Sequence, residues 1–220
     1  DAIETLSAYV PVDISAGFLA QQAKALAADH PGLLILPVAA DFTHPFALPA
    51  AVRERPRAGF FPGSTIGNFE PKDARAFLAD ARRTLGPGGV MLVGVDLVKD
   101  KAVLEAAYDD PEGVTARFNL NVLTRADREL GTDFDLSAFR HRAFFDTASS
   151  RIEMHLMARS AQAVALDGKT YRFTTGESLH TESSYKYTPD GFRALAESAG
   201  WRPERMWLDA QARFSVHLLA

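Results

Sequence analysis

The sequence predicts a doubly wound α/β fold with an α+β segment inserted into it. Over the first hundred residues, short apolar strands alternate with helical patterns, and the strands are apolar throughout rather than at every second position. Such strands are typical of a parallel sheet covered by helices on both faces. After Lys99 the pattern changes to helices followed by neighbouring antiparallel strands. We therefore expect a sheet domain made of residues 1–98 plus 186–220, and an insertion domain at 99–185.

The first half of the predicted sheet domain alternates strand and helix. Residues 9–14 (YVPVDI) are short, apolar and β-branched, and Ser15 is placed to cap a helix that Pro31 and Gly32 end. Further elements are expected as strands at 33–40 (LLILPVAA), 59–63 (GFFPG) and 90–97 (VMLVGVDL), and as a helix at 71–85. Right-handed crossovers would bring the C-terminal ends of these strands to one edge, where such sheets bind ligands.

The remaining elements follow from turn signals and periodicity. Two helical segments, AVLEAAYDD and VTARFNLNVLTRADREL, precede three extended segments, FRHRAFFD, RIEMHLMARSAQAVAL and KTYRFTT, with turns at TASS and DG. A helix at DGFRALAESAG and a hairpin from WRPERMWLD and ARFSVHLLA close the chain. We expect this hairpin at the edge of the main sheet.

Composition excludes several classes of function. The 220 residues are 47% hydrophobic and carry a net charge of −4, with scattered Lys and Arg, which disfavours a nucleic-acid partner. Cysteine is absent, so disulfides, thiolate metal sites and cysteine nucleophiles are excluded, and a reducing compartment is compatible. The longest apolar run is far shorter than the ~20 residues of a membrane-spanning helix. We expect a cytoplasmic protein without a membrane partner.

Two acids follow successive predicted strands. Asp13 ends the first strand, where a carboxylate can accept hydrogen bonds from ribose hydroxyls. Asp41 ends the next one, and Phe42 beside it could pack on a purine. Alternatively, Asp13 only helps to start the following helix, Asp41 is an acid in a loop, and Phe42 is a core residue. Two such acids favour a cofactor that contains adenosine.

The segment GSTIGN (63–68) follows the third predicted strand and lies at the same edge. Gly63 allows close approach of the backbone to a ligand, and the Asn68 amide offers a donor and an acceptor. No lysine follows the glycines as in a phosphate-binding loop, the serine is not central in G-x-S-x-G, and no G-x-G-x-x-G occurs. The segment is either a structural corner or part of a ligand site.

The insertion supplies further candidates. Glu182 and Ser184 lie two apart on an extended segment and share a face, where they could bind an imidazole; Tyr108 and Met154 lie in AAYDD and RIEMHL. The structural alternatives are a solvated strand for the first pair and core packing for Tyr108 and Met154. The six histidines show no metal-binding spacing, so no metal is expected.

Together these residues support a family resemblance. The segments YVPVDIS, ADF, FFPGSTIGNF, LVGVDLVKD, AYDDPEGVTARFN, RIEMHL and TESSYKY occur in this order. The chain from about Tyr9 to its C-terminus resembles the S-adenosylmethionine-dependent histidine Nα-methyltransferases, which form trimethylhistidine (hercynine) in ergothioneine biosynthesis. The resemblance implies an enzyme with a Rossmann-like class I methyltransferase sheet, with S-adenosylmethionine as cofactor and L-histidine as substrate.

The resemblance also implies roles for individual residues. Asp13 matches the ribose-binding acid, Asp41 and Phe42 the adenine contacts, and Gly63 the start of the loop beside cofactor and substrate. Asn68 matches the asparagine that holds the substrate α-amino group and is the expected catalytic residue. Tyr108 and Ser184 match residues that hold the α-carboxylate or orient the substrate. Glu182 matches the carboxylate that recognises the imidazole, and Met154 matches a residue that lines the imidazole pocket.

One part of the family pattern is absent from the sequence. The family's first strand and its glycine-rich turn, which bind the methionine portion of the cofactor, have no counterpart here. We expect an N-terminal segment, or a second chain, to supply them. The alternatives are a methyltransferase for another amino acid or amine, a nicotinamide-dependent dehydrogenase that uses Asp13 for the ribose, and a non-catalytic fragment.

Overall fold

A computed structural model describes residues 6–220, and every structural statement below concerns that part of the chain. Its helices are α1 (Ala16–Asp29), α2 (Pro71–Leu85), α3 (Lys101–Tyr108), α4 (Val114–Leu130) and α5 (Pro189–Ser198). Its strands are β1 (Ala8–Tyr9), β2 (Val12–Asp13), β3 (Leu34–Ile35), β4 (Val38–Ala39), β5 (Ala58–Phe61), β6 (Val90–Asp96), β7 (Phe139–Asp146), β8 (Arg151–Ala158), β9 (Gln162–Leu166), β10 (Lys169–Phe173), β11 (Ser178–Tyr185), β12 (Pro203–Leu208) and β13 (Phe214–Leu219). None of these helices is both long enough and apolar enough to span a bilayer.

The main sheet has four strands in the order β12-β13-β6-β5. Strands β5 and β6 are parallel, whereas β13 runs antiparallel to β6 and pairs with β12, so the predicted C-terminal hairpin does form the sheet edge. Helices α2 and α5 cover this sheet through a core that includes Phe77, Leu78, Val93 and Phe192. The indole N–H of Trp201 donates to the carbonyl of Leu78 at 2.8 Å, which satisfies a polar group inside that core.

The N-terminal strands depart from the expected continuous sheet. Each of the segments 9–14 and 33–40 was expected to be one strand, but each is interrupted at a proline, Pro11 or Pro37, which has no N–H to donate to a ladder. The result is two parallel pairs, β1 with β3 and β2 with β4. Within the described residues neither pair is hydrogen-bonded to the main sheet, and β5 pairs with β6 alone.

The region between α3 and β11 forms a separate antiparallel sheet in the order β11-β8-β7. Helix α3 packs on it through Leu104, and helix α4 packs on it through Leu123. The hairpin β9–β10 turns at Asp167 and Gly168, which both have positive φ (49° and 71°), as a two-residue hairpin turn of the primed type requires. This arrangement agrees with the helix-then-strand pattern of the sequence, but the expected single extended segment at 151–166 is two strands, β8 and β9, which belong to different sheets.

Strand β11 returns the chain to the main sheet. The N–H of Tyr187 donates to the carbonyl of Asp96 at 3.2 Å, and the N–H of Val98 donates to the carbonyl of Tyr187 at 3.0 Å. The hydroxyl of Tyr185 donates to Glu70, just after the GSTIGN segment, at 2.6 Å. These contacts place the end of β11 at the C-terminal edge of β5 and β6.

Candidate active site

A cavity of about 300 Å³ lies at the C-terminal edge of the main sheet. Its walls come from the loop after β5, the end of β6, α3, β11 and the start of β13. The lining residues are Gly63, Ser64, Thr65, Asn68, Asp96, Tyr108, Glu182, Ser184 and Phe214. The structure thus gathers Asn68 and the predicted residues of the insertion, except Met154, around one space. A larger cavity of about 630 Å³, at the Gly86–Gly89 turn before β6, contains none of the predicted site residues.

The GSTIGN segment is a tight corner that also forms one wall of the cavity. Gly63 and Ser64 both adopt positive φ (73° and 59°), and the hydroxyl of Ser64 accepts the backbone N–H of Asp96 at 2.8 Å. A Cβ on Gly67 would lie 2.6 Å from the carbonyl oxygen of Tyr185, so only glycine fits where the loop meets β11. The corner leaves the Asn68 side chain exposed beside the cavity. The structural and ligand-binding interpretations of this segment are therefore compatible.

A buried polar network forms the opposite wall. The ammonium of Lys186 donates to the Tyr108 hydroxyl at 2.8 Å and to the Ser184 hydroxyl at 2.7 Å, and it lies 3.0 Å from Oδ2 of Asp96. The two hydroxyl oxygens are 2.9 Å apart. Lys99 pairs with the other oxygen of Asp96. Asp96, at the end of β6, could have been found by the same strand-end argument as Asp13, whereas nothing in the sequence distinguished Lys186.

Helix α3 is fixed at its C-terminal end, and Tyr108 with it. The amide of Asn119 donates to Nδ1 of His141 at 2.9 Å, and Nε2 of His141 lies 2.8 Å from the carbonyl of Tyr108. Because a carbonyl only accepts, Nε2 carries the proton in this tautomer. Asn119 is 1% exposed. A buried side-chain pair thus anchors the Tyr108 backbone, and no sequence signal indicated it.

Glu182 has a perturbed carboxyl group beside the network. Burial raises the pKa of the Glu182 carboxyl, and the nearby charge of Lys186 opposes this rise. Glu182 lies on β11 two residues from Ser184, and both line the cavity. The wall therefore combines a carboxylate acceptor with hydroxyl groups, which suits a ring that carries both an N–H and an unprotonated nitrogen.

Of the predicted cofactor residues, Gly63 lines this cavity, whereas Asp13, Asp41 and Phe42 lie outside it. Asp13 accepts the N–H of Ser15 at 2.7 Å, and Ser15 makes no side-chain cap to α1, contrary to expectation. Asp41 accepts both the N–H and the hydroxyl of Thr43, whose hydrogen bonds lower the pKa of the Asp41 carboxyl. Phe42 packs edge-on against Phe61 at 5.7 Å in the core of the main sheet. Since β2 and β4 are parallel neighbours, the two acids do share one edge.

Met154 and the acids of the AAYDD segment have structural surroundings. Met154 is 3% exposed and packs with Leu104 and Ile152 behind Tyr108, so it does not reach the cavity wall. Asp110 accepts the N–H groups of Val114 and Thr115 at the start of α4, and bonds to Thr115 and Val114 lower the pKa of its carboxyl to about 2. In the structure Asp110 serves the fold, while Tyr108 of the same segment reaches the cavity.

The structure brings together a histidine cluster that the sequence spacing did not indicate. Donor atoms of Glu153, His155 and His180 lie within 4.8 Å of one another on the insertion sheet. His155 is hydrogen-bonded to Glu153 at 2.9 Å, the other oxygen of Glu153 pairs with Arg151, and the two imidazole rings are stacked at 4.7 Å. Two parallel rings do not direct their in-plane lone pairs to one point, so this geometry is that of an ion-pair and stacking network.

Solved structures with a similar fold are methyltransferases. An S-adenosylmethionine-dependent methyltransferase from Clostridium acetobutylicum matches with a TM-score of 0.51 at 10% identity, covering 96% of this chain and 73% of that one. The CcbJ methyltransferase from Streptomyces caelestis matches with the same TM-score and coverage at 18% identity. The fold is that of a class I S-adenosylmethionine-dependent methyltransferase.

Sequence comparison identifies the family. The family described as "Histidine-specific methyltransferase, SAM-dependent" matches residues 1–220. The chain is 43% identical over 219 residues to the histidine N-alpha-methyltransferase of Mycolicibacterium smegmatis, and 42% identical over 223 residues to that of Mycobacterium tuberculosis, covering 98% of this chain and 67% of each relative. It is 30% identical to ergothioneine biosynthesis protein 1 of Neurospora crassa over 72% of this chain and 18% of that protein. This chain belongs to the histidine-specific, S-adenosylmethionine-dependent methyltransferases.

Proposed function

We propose that this protein transfers methyl groups from S-adenosylmethionine to the α-amino group of L-histidine, giving hercynine in ergothioneine biosynthesis. Membership of the histidine-specific family supports the reaction class. The observation that carries the assignment is the cavity that joins Asn68 to Glu182, Tyr108 and Ser184 across the two sheets. An asparagine beside a carboxylate and two hydroxyls can hold an amine and an imidazole at opposite ends of one small molecule.

The residues at the edge of β2 and β4 fit an adenosine-containing cofactor. The Asp13 carboxylate has a second oxygen beyond the one bonded to Ser15, and ribose hydroxyls are suitable donors to it. Asp41 and Phe42 would contact the adenine, and Gly63, which has open space where a Cβ would lie, allows close approach. When bound, S-adenosylmethionine supplies an electrophilic methyl group. Residues 1–98 and 186–220 would form this cofactor domain.

The protein's own contribution is mainly positional. In-line methyl transfer requires little covalent chemistry, and orientation of the reactants can supply on the order of 7 to 11 kcal/mol. The amine must be neutral to attack, so solvent takes its proton before each transfer. In the first two transfers we assign Asn68 to accept one amine N–H and direct the lone pair; the dimethylated amine has no N–H left to donate. Glu182 accepts the imidazole N–H, and residues 99–185 form the substrate-recognition domain. We place the reaction in the cytoplasm, where a chain without cysteine is suited to reducing conditions.

The first experiment measures turnover. The protein is expressed from its complete coding sequence and its intact mass is recorded. Release of S-adenosylhomocysteine is then followed with histidine and with a panel of other amino acids and amines, and mass spectrometry counts the methyl groups on the product. Histidine-dependent release with a trimethylated product supports the proposal. Turnover of another amine in preference to histidine would contradict it.

The role of Asn68 is tested by Asn68→Ala. Loss of the hydrogen bond that orients the amine should lower kcat for histidine roughly 10- to 100-fold, while the dissociation constant of the cofactor stays the same. Asn121→Ala, on the exposed face of α4, is the matched control and should behave as the wild type. Unchanged kcat in Asn68→Ala would show that this amide does not position the amine.

A further inference from the structure

Lys186 is a buried charge whose donors are all used by the protein. Its side chain is 0% exposed, and its three partners in the described part of the chain are the hydroxyls of Tyr108 and Ser184 and the carboxylate of Asp96. An ammonium has three N–H donors and no acceptor. Lys186 thus has no donor left for a ligand, although it lies directly behind two residues of the cavity wall. Any effect of Lys186 on a ligand must act through those residues.

The direction of the hydrogen bonds follows from this arrangement. Because Lys186 only donates, the oxygens of Tyr108 and Ser184 both act as acceptors toward it. Each hydroxyl has a single hydrogen, and one of them is used in the 2.9 Å contact between the two oxygens. One hydroxyl hydrogen therefore remains, and the open side of the pair is the cavity. The network offers the cavity a donor.

The charge around the network strengthens that donor. Asp96 contacts two ammonium groups, Lys186 and Lys99, so one negative charge lies between two positive ones. The Lys186 ammonium also lies over the Tyr108 ring, 4.7 Å from its centre. A nearby cation polarises the hydroxyls that accept from it and makes their hydrogens better donors.

We propose that Lys186 is a positioning residue that fixes the Tyr108 and Ser184 hydroxyl pair so that its one remaining O–H donates to a hydrogen-bond acceptor of the bound amino acid. The proposal rests on the proposed function and extends it to a residue that makes no ligand contact itself. The acceptor chemistry has two possible sources in histidine, the unprotonated ring nitrogen and the α-carboxylate. Without Lys186 the hydroxyls could rotate to donate or accept, and the preference for an acceptor would be lost.

Lys186→Met tests the proposal, with Lys99→Met as its matched control. Both substitutions remove one positive charge from Asp96, but only the first removes the partner of the hydroxyls. Calorimetry measures binding of histidine, of histamine, which lacks the carboxylate, and of pyrrol-2-ylalanine, which keeps a ring N–H but lacks the ring acceptor. One of the two analogues lacks the acceptor that the network contacts. The wild type and Lys99→Met should bind histidine about 10-fold or more tightly than they bind that analogue.

In Lys186→Met that preference should fall to about 3-fold or less, with KM for histidine raised more than kcat is lowered. If the preference for histidine over pyrrol-2-ylalanine is lost, the acceptor is the ring nitrogen. If the preference over histamine is lost, the acceptor is the α-carboxylate. Retention of both preferences overturns the proposal. These ratios of binding affinities can be measured without methyl transfer. If the wild type bound histidine but did not methylate it, the proposed function would be contradicted, and the test of Lys186 could still be carried out.

Folding is controlled by thermal unfolding of each variant. If Lys186→Met does not fold, the double variant Tyr108→Phe with Ser184→Ala removes both hydroxyls and keeps the lysine. This double variant should lose the same preference as Lys186→Met is expected to lose. A double variant that folds and still discriminates between histidine and both analogues would overturn the proposal as well.

Discussion

The two sides of the proposed site are built in different ways. On the substrate side, around Tyr108, Glu182 and Ser184, contacts join residues far apart in the chain: 76 positions separate Tyr108 from Ser184, and 115 separate Glu70 from Tyr185. On the cofactor side, within residues 6–220, the carboxylates of Asp13 and Asp41 bond only to groups at most three positions away along the chain. One side is held by tertiary structure and the other by local turns.

This difference affects how each side binds. Buried partners hold the hydroxyls of the substrate side in one arrangement before any ligand arrives, which lowers the cost of ordering on binding. The acids of the cofactor side are partly exposed, Asp41 to 42% at its side chain, and their strands are not hydrogen-bonded to the main sheet within residues 6–220. We therefore expect substitutions on the substrate side to change selectivity, and substitutions on the cofactor side to change affinity for the cofactor alone.

The largest effect is expected for Glu182→Ala. Removing the half-buried carboxylate leaves the imidazole N–H without its acceptor, and a hydrogen bond to a charged group contributes about 1.5–3 kcal/mol. We expect kcat/KM for histidine to fall roughly 10- to 100-fold, while the cofactor dissociation constant changes less than about 2-fold. Steady-state kinetics and calorimetry measure the two quantities. Equal loss of both would indicate a folding defect and would remove the distinction between the two sides.

A smaller effect is expected for Asp13→Asn. The amide keeps an acceptor oxygen but loses the charge, so cofactor affinity should decrease by about 10-fold while histidine selectivity is unchanged. Asp29→Asn, at the exposed end of α1, removes an acid of the same type and should have no effect. If Asp13→Asn altered the selectivity of the protein for histidine over other amines, the two sides would be coupled more closely than their contacts indicate.

The sequence was most informative where local pattern determines structure. Helices α2 and α4 and strand β7 have the predicted bounds, because periodicity, the Gly and Pro residues at the helix ends and the TASS turn after β7 are local signals. Apolar content alone does not predict the interruption of the first strands, because Pro11 and Pro37 lie within apolar runs and the break follows from their missing N–H. The fold class could be predicted, whereas the exact pairing of the short strands could not.

The candidate site was predictable in part, and mainly through family resemblance. Residue types and spacing alone left a structural alternative for each candidate, and in the structure Met154 does pack in the core. Lys186 and the pair Asn119 and His141 gave no signal, because their importance comes from burial and from partners distant in sequence. A buried lysine and a surface lysine look alike in a sequence, so tertiary structure was needed to identify the network.

The smallest predicted effect concerns pH and compares the two sides directly. Burial raises the pKa of the Glu182 carboxyl, so this group gains a proton at a higher pH than an ordinary glutamate does. Hydrogen bonds from Thr43 lower the pKa of Asp41, which therefore stays ionised to lower pH. As the pH falls from about 7.5 to about 5, histidine affinity should decrease a few-fold more in the wild type than in Glu182→Gln, which cannot titrate there.

The Glu182→Gln variant is the necessary control, because the imidazole of free histidine is protonated over the same pH range and weakens binding to both proteins. Only the difference between the two proteins reports the carboxyl of Glu182. Cofactor affinity, measured by calorimetry at the same pH values, should change little, since Asp41 keeps its charge. Loss of cofactor binding at a higher pH than loss of histidine binding would reverse the expected order, and the cofactor side would then be the one with the more easily protonated carboxylate.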